Sequence, residues 1–245
     1  MKMLIGQIKL ETKLFLRDRR ALFLTFAFPA IMILIFGAVF NSQTVMGLPA
    51  INFILPGIIV MATMMVAMNN HALKITGDRE KGIYRRLSLT PLQRQTLLMG
   101  QLCVRYLIVI LTSALLIAVA TLAFKAKLGG NYSLFLLVLT LGALVFMTLG
   151  FTLSSLVKNS QSAMSLCMVV FFPLMFLGGC FWTLDQMPAF LRVISDVLPT
   201  THLNNALRMI TLQNAGFDQI WREFPVILLW LAGGAVLAVK FFKWE

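Results

Sequence analysis

The sequence is too apolar to belong to an ordinary soluble domain. Its 245 residues are 59% hydrophobic and only 12% charged, and the mean hydropathy is +0.87, whereas soluble domains are about 45–50% apolar and about 25% charged. The 21 Lys and Arg against 9 Asp and Glu would suit a nucleic-acid partner in a soluble protein, but in this chain they are first tested as a signal of membrane orientation. The length allows several spans and leaves no room for a second, soluble catalytic domain.

Six segments are long and apolar enough to cross about 30 Å of hydrocarbon. Pro29 and Pro173, inside two of them, predict local distortion of the helix, and the pair Gly150 and Ser154 is a weak signal of close helix packing. The sequence therefore predicts an all-α membrane protein with one transmembrane domain over residues 1–245. The predicted spans are Ala21–Phe40, Phe53–Leu73, Leu102–Phe124, Tyr132–Val157, Gln161–Phe181 and Phe224–Val239.

The basic residues are distributed unevenly between the two sides of these spans. With the N-terminus in the cytoplasm, the cytoplasmic stretches 1–20, 74–105, 158–160 and 240–245 hold 16 of the 21 Lys and Arg. The reverse orientation would break the positive-inside rule. We therefore expect both termini to be cytoplasmic, and topology accounts for the basic excess without a nucleic-acid partner.

Residues 1–20 have the pattern of an amphipathic helix in the plane of the lipid headgroups. Basic side chains that include Lys9, Lys13 and Arg17 share one face, and apolar side chains occupy the opposite face. Glu11 projects from the apolar face, where it would pair with Arg105 or extend its carboxylate to the surface. The alternative for the whole segment is a frayed basic tail.

The longest cytoplasmic segment is predicted to be residues 77–99. Gly77 permits a turn out of the second span, and Pro91 disfavours helix at the residue before it. Between them a short helix is expected, with Ile83 and Leu87 forming an apolar contact on a protein surface, because so short a helix does not stand alone in water. A solvated loop that only fixes topology is the alternative.

Residues 182–223 are long for a loop without structure of its own. Two short amphipathic helices are predicted there, one beginning near Pro188 and the other after Pro199. Both are shorter than a span, so they either lie in the outer interface or form a re-entrant hairpin. Trp182 and Trp221 bracket the segment, as interfacial aromatic residues do.

The sequence gives little support for chemistry within this chain. His71 and His202 fall on opposite sides of the membrane, and the three cysteines lie in apolar runs without metal-ligand spacing. At mid-depth the spans have no Asp, Glu, Lys or His for a proton relay, and sodium coupling through broken helices is the remaining ion-coupled alternative. Since the sequence has no nucleotide-binding Gly-x-x-x-x-Gly-Lys-Ser/Thr motif, uphill transport would need energy from another protein.

Four local patterns, together with their order along the chain, resemble those of the membrane subunits of ABC transporter type-2 exporters. The most specific is Asp78-Arg79-Glu80-Lys81-Gly82 followed by Arg85-Arg86-Leu87 and Thr90-Pro91-Leu92. The other three are Phe28-Pro29 after the basic leader, Leu55-Pro56-Gly57, and Leu177-Gly178-Gly179 leading to Met187-Pro188 and Leu198-Pro199. The resemblance covers nearly the whole chain.

The resemblance implies the function and the partners. In drug-type members the pattern that begins at Asp78 belongs to the loop whose coupling helix docks on a separate ATP-binding subunit. That subunit binds ATP and Mg, and this chain would hold no cofactor. Two copies, or one copy and a close paralogue, would form the translocation path in a bacterial or archaeal inner membrane. Glycan-type permeases share this architecture, and the residues that line the path stay unknown. The residues implied in docking are Asp78, Arg79, Glu80, Lys81, Gly82, Arg85, Arg86 and Leu87.

Overall fold

A computed structural model describes residues 2–40, 44–45, 48–87, 94–126, 129–181 and 187–241, and in this part the fold is helical apart from one short β-pairing. The two strands, β1 (Thr44–Val45) and β2 (Leu48–Pro49), pair antiparallel. The helices are α1 (Lys2–Arg17), α2 (Arg19–Val39), α3 (Ala50–Glu80), α4 (Ile83–Leu87), α5 (Arg94–Phe124), α6 (Tyr132–Leu156), α7 (Ser160–Leu177), α8 (Ala189–Ser195), α9 (Pro199–Gln213), α10 (Phe217–Ile220) and α11 (Phe224–Phe241).

Six helices in the described residues are long and apolar enough to span a membrane, which confirms the six predicted spans. They are α2, α3, α5, α6, α7 and the segment Phe217–Lys240 that contains α11. In α3, 94% of the apolar window is buried inside the protein, whereas the corresponding share for the last span is 11%. The central helix α3 is therefore surrounded by protein, and the others turn apolar side chains outward as lipid-facing helices do.

Several helices end at different residues from those predicted. Gly77 does not turn the chain out of the second span, because α3 continues to Glu80, and the turn after it contains Gly82, whose φ is +64°. Such a left-handed residue after a helix favours glycine. Helix α7 stops at Leu177 instead of Phe181, and Gly178 follows it. The side chains at the end of α3 explain its extra length, because they bind the neighbouring helices.

The two helices that approach each other near Pro29 both contain a π-helical turn. In α2 the turn covers Phe23–Ala27, just before Pro29, so the predicted distortion at this proline is a change of helix type. In α3 the turn covers Met65–Asn70 and was not predicted. Asn70 Nδ2 donates a hydrogen bond of 3.0 Å to Thr25 Oγ1, which joins the two turns.

Glycine allows α6 to pack closely on α3. A Cβ atom at Gly150 would lie 2.8 Å from the carbonyl oxygen of Met68, which is too close for any other residue without movement of the backbone. The close packing predicted for Gly150 is therefore present. Ser154, one turn further along α6, is fully buried.

Helices α8 and α9 form a hairpin, residues 187–213, at one end of the bundle. We call the opposite end the basic end; it carries α1, the Asp78–Gly82 turn, α4 and the start of α5. Helix α9 packs between α3 and α6, and most of its residues are buried. This packing is that of a hairpin that enters the bundle, not of a helix that only rests on it. The predicted interfacial Trp182 and the first predicted hairpin residues, Asp185 and Gln186, lie outside the described residues.

Candidate functional site

At the basic end, Arg79 and Glu80 bind the turn between α6 and α7. Arg79 Nη2 donates to the carbonyl oxygen of Ser154 at 2.7 Å and also to that of Val157. Glu80 Oε2 accepts from the backbone N–H of Ser160 at 2.9 Å and from its hydroxyl at 2.7 Å. A cation thus meets the unpaired carbonyls at the end of α6, and an anion meets the unpaired N–H groups at the start of α7, which matches both helix dipoles.

Asp78 faces the opposite way, into a buried cluster between α1, α3 and α5. Its carboxylate lies 2.9 Å from Lys74 Nζ and accepts from Gln101 Nε2 at 3.5 Å. Lys74 Nζ also lies 3.9 Å from Glu11 Oε1 of α1. One ammonium group therefore stands between two buried carboxylates and joins α1 to α3.

The predicted partner of Glu11 was wrong. Its ion-pair partner is Lys74, while Arg105 lies with its guanidinium 6.0 Å from the ring centre of Phe15. Glu11 is 6% exposed, so its carboxylate does not extend to the surface either. Burial raises the pKa of Glu11, against an opposite effect of Lys74. The prediction failed because α3 was expected to end before it could present Lys74 and Asp78 to α1.

Helix α1 packs on α5 with the predicted apolar face, the one from which Glu11 projects, and its basic face points away. Gln7, Glu11 and Phe15, spaced four apart, are buried, and a Cβ at Gly100 of α5 would lie 2.5 Å from Gln7 Cγ. The predicted apolar face is partly exposed, at Leu14 for example. The basic residues Lys9, Lys13 and Arg17 are exposed. Helix α1 is thus attached to the bundle by one face while its basic face is exposed.

The remaining residues implied in docking are at the surface or outside the described part. Lys81, Arg85 and Arg86 are exposed, and Arg86 Nη2 donates to the carbonyl oxygen of Lys81 at 2.9 Å. Gly82 supplies the left-handed turn between α3 and α4. Leu87 ends the backbone of α4, and Thr90-Pro91-Leu92 lies outside the described residues.

The residue that docks α4 on the bundle is Tyr84, which was not predicted. Tyr84 is 6% exposed and packs with Ile75 of α3 and Leu97 of α5. Ile83, predicted to make this contact, is only half-buried. An aromatic residue one position after an expected apolar contact is a usable sequence signal, since aromatic side chains bury a large area at contacts.

A second group of polar contacts, also not predicted, lies where the hairpin meets α3 and the end of α7. Asn204 Nδ2 donates to the carbonyl oxygens of Gly178 at 3.3 Å and Gly179 at 2.6 Å. Arg208 Nη2 donates to that of Cys180 at 3.4 Å, and its Nε donates to that of Phe53 at 3.3 Å. We call these contacts the hairpin junction.

The hairpin junction brings together two of the patterns that carry the family resemblance. Pro56 interrupts the hydrogen-bond ladder of α3 near the carbonyl that Arg208 binds. A Cβ at Gly57 would overlap the carbonyl oxygen of Cys180. Gly57 of the Leu55-Pro56-Gly57 pattern thus contacts the backbone just after the Leu177-Gly178-Gly179 pattern, in which Gly178 faces Thr200 and Gly179 has a φ of +65°.

The other side of the hairpin is bound to the start of α11. His202 Nδ1 contacts the carboxylate of Glu223, and His202 Nε2 lies 2.8 Å from the carbonyl oxygen of Asp196. Trp230 Nε1 donates to the carbonyl oxygen of Val197 at 2.8 Å. Burial alone would lower the pKa of His202, but Glu223 and the Asp196 carbonyl outweigh it and raise the pKa above its usual value.

The two histidines lie apart, and the charged side chains at the basic end bind other helices of the same chain. His71 is buried against Phe151 of α6, far along the chain from the His202 contacts. In the described residues no group of three or more His, Cys, Asp or Glu could hold a metal ion. The charged side chains at the basic end instead join α1, α3, α6 and α7 at the point where α4 begins.

Comparison with known proteins gives one consistent result. Residues 7–212 match the family described as ABC-2 type transporter. The chain is 26% identical over 195 residues to "ABC transporter G family member 20" of Dictyostelium discoideum, with 78% of this chain and 27% of that protein aligned. It is 23% identical over 190 residues to "Probable multidrug ABC transporter permease YbhR" of Escherichia coli (77% and 52% aligned).

A third relative is "Inner membrane transport permease YhhJ" of Escherichia coli, which is 25% identical over 194 residues, with 74% of this chain and 50% of that protein aligned. The alignments thus span between about a quarter and a half of the length of these relatives. The family match covers most of the chain, including the Asp78–Gly82 turn and the hairpin junction. The protein belongs to the ABC-2 type transporter family and is a multi-pass membrane subunit of an ABC transporter.

Proposed function

We propose that this chain forms the translocation path of an exporter for drugs, antibiotics or other amphiphiles, driven by ATP hydrolysis in a separate ABC ATP-binding subunit. Two copies, or one copy and a close paralogue, would enclose the path in a bacterial or archaeal inner membrane, with both termini in the cytoplasm. Family membership supports a transport role, and the word multidrug in the name of one relative supports the class of cargo.

The observation that carries the proposal is the set of bonds made by Arg79 and Glu80. They lie at the end of α3, next to the exposed cations Lys81, Arg85 and Arg86 of the proposed docking segment, and they hold the α6–α7 turn. A force applied to α4 would therefore reach three spans through short polar contacts. The Lys74 cluster extends the same connection to α1.

The proposal assigns one role to the cations Lys81, Arg85 and Arg86 and another to the charges of Asp78, Arg79 and Glu80. The exposed cations would bind acidic groups of the ATP-binding subunit, since charges at interfaces set register and partner choice. Asp78, Arg79 and Glu80 would transmit the movement, because their side chains already bind the permease itself. Gly82 would allow the change of direction between the two parts.

The experiment is capture of the ATP-binding subunit by the tagged permease from its native host. Double charge reversal, Arg85→Glu with Arg86→Glu, should lower the captured amount at least tenfold, because two repulsive charges replace two attractive ones. Arg222→Glu at the opposite end of the bundle is the matched control and should leave capture unchanged. Equal capture by both variants would contradict the assigned docking surface.

Coupling is tested separately from docking. In vesicles containing both subunits, Glu80→Lys should leave the permease inserted and ATP hydrolysis measurable, while ATP-driven uptake of Hoechst 33342 falls at least tenfold relative to hydrolysis. The lysine would place a cation at the N-terminus of α7, where the helix dipole disfavours it. Asp218→Lys, on an exposed residue at the other end, is the control.

Uphill uptake by the permease alone, driven by an ion gradient, would favour an ion-coupled transporter instead.

A further inference from the structure

Arg208 is a buried cation whose described contacts lack a carboxylate. It is 9% exposed, its guanidinium carbon lies 3.8 Å from the ring centre of Phe53, and the ion pairs within the described part of the chain do not include it. A buried charge costs free energy unless hydrogen bonds compensate it. For Arg208 these hydrogen bonds come from backbone carbonyls. The position of the guanidinium therefore depends on the backbone around it, and the position of that backbone depends on the guanidinium.

Those carbonyls lie in two separate parts of the chain. Asn204 and Arg208, one turn apart on the same face of α9, bind three consecutive carbonyls after the end of α7, namely those of residues 178–180. The same guanidinium binds Phe53 near the start of α3. Arg208 therefore fixes the turn after α7 relative to α3 and α9.

The packing around these bonds leaves no space for the hairpin to slide. Gly57 allows α3 to contact the backbone at Cys180, and a Cβ at Gly178 would overlap Thr200 Oγ1. On the α6 side, a Cβ at Gly142 would lie 3.0 Å from Leu203 Cδ2. Interfaces this close respond to force as rigid bodies and do not deform gradually.

We propose that Arg208, with Asn204, is a positioning residue for transport, which fixes the hairpin to the end of α7 and the start of α3 so that these parts move as one rigid wall when the path opens. This inference rests on the proposed function. In this arrangement the hairpin does not hinge away from its own bundle.

A disulfide lock distinguishes a rigid wall from a hinged lid. In a background with all three native cysteines replaced by serine, Gly142→Cys and Leu203→Cys would place two thiols at the α6–α9 contact, where a Cβ at residue 142 lies 3.6 Å from Leu203 Cγ and the two side chains therefore meet. In nanodiscs with the captured ATP-binding subunit, ATP hydrolysis by the oxidised protein should stay within twofold of the reduced protein. A tenfold loss on oxidation, restored by reduction, would overturn the proposal.

Removal of the guanidinium should be repaired by the same lock. Arg208→Met should lower ATP hydrolysis by the complex at least fivefold, and oxidation of the disulfide in that variant should restore it to within twofold of the parent, because the lock replaces the lost fixation. Arg208→Lys should lose activity and be rescued in the same way, because a single ammonium nitrogen does not reproduce the separate Nε and Nη2 donors of the planar guanidinium. Arg222→Met is the control. Failure of the lock to restore activity would contradict a positioning role.

Cys180, which is fully buried beneath Arg208, reports on the junction without the ATP-binding subunit. With Cys103→Ser and Cys167→Ser present, labelling by fluorescein maleimide should be slow in the permease alone and at least tenfold faster in Arg208→Met. In the vanadate-trapped complex the parent should label within twofold of its resting rate; a tenfold increase would indicate a hinged lid. Absence of a captured ATP-binding subunit would contradict the proposed function but leave the labelling of the permease alone as a test of the junction.

Discussion

Arg79 and Glu80 are adjacent in sequence and opposite in charge, and each binds a different helix end. Their pattern of charges marked them as functional residues but assigned them to the surface that meets a partner. The direction of a side chain depends on where its helix ends, and the extension of α3 from Leu73 to Glu80 could not be derived from composition. The Arg79 and Glu80 side chains therefore face α6 and α7, while the cations after Gly82 face outward.

Arg79→Ala should lower the stability of the permease by about 2 kcal/mol, because hydrogen bonds to charged groups contribute about 1.5–3 kcal/mol and the carbonyls of Ser154 and Val157 would lose their partner. Thermal unfolding in detergent measures the change. Arg222→Ala, on an exposed residue at the opposite end of the bundle, is the matched control and should change the melting temperature little. Equal melting temperatures of Arg79→Ala and the parent would contradict the contact.

Lys74 should matter more than either carboxylate that it binds. Lys74→Met leaves Glu11 and Asp78 buried without their shared cation and should cost about 3 kcal/mol, as removal of one member of a buried ion pair does. Glu11→Gln leaves the Lys74–Asp78 pair intact and should cost less than half as much. Thermal unfolding of both variants and of the double variant gives the coupling free energy between Lys74 and Glu11. A larger loss for Glu11→Gln than for Lys74→Met would contradict this arrangement.

At the scale of elements, the six spans could be predicted because an apolar run of about 20 residues is seldom compatible with anything but a transmembrane helix. The hairpin could be predicted only as two short helices, since amphipathicity does not tell whether the buried face meets lipid or protein. What decides its position is a set of polar contacts between residues far apart in the chain, such as Arg208 and Phe53, which are 155 positions apart. Local patterns carry no signal of such pairs. The sequence shows the glycines at positions 57 and 178, but it does not show that one junction requires both of them.

The bond between the hairpin and α11 should depend on pH. Because the pKa of His202 is raised in the folded protein, its protonated form stabilises the fold below the unfolded pKa of about 6.5, and this contribution is lost as pH rises through the folded pKa. His202→Gln should therefore cost about 1–2 kcal/mol at pH 6 and much less at pH 9. Thermal unfolding at both pH values tests this, with Glu223→Gln expected to show the same trend. A larger cost at pH 9 would contradict the assignment.

At the scale of the whole molecule, the two ends of the bundle differ in the residues and contacts that they hold. The basic end holds exposed cations and the polar contacts among α1, α3, α6 and α7, and the other end holds the buried hairpin. Helix α3 joins the two, since its first turns contact Arg208 and its last turn contains Arg79 and Glu80. A movement at the basic end would thus reach the hairpin through one continuous, buried helix.

The orientation of this helix in the membrane can be tested directly. In a cysteine-free background, Lys13→Cys marks the basic end and Gln219→Cys, on the exposed face of α10, marks the other end. If the basic end is cytoplasmic, as the positive-inside rule requires, a membrane-impermeant maleimide should label Gln219→Cys in right-side-out vesicles at least tenfold faster than Lys13→Cys, and detergent should remove the difference. Both sites are exposed in the folded protein, so unequal burial cannot produce such a ratio. The reverse ratio would place the Arg85 and Arg86 surface outside the cell, where no ATP-binding subunit could reach it, and coupling through α3 would fail with it.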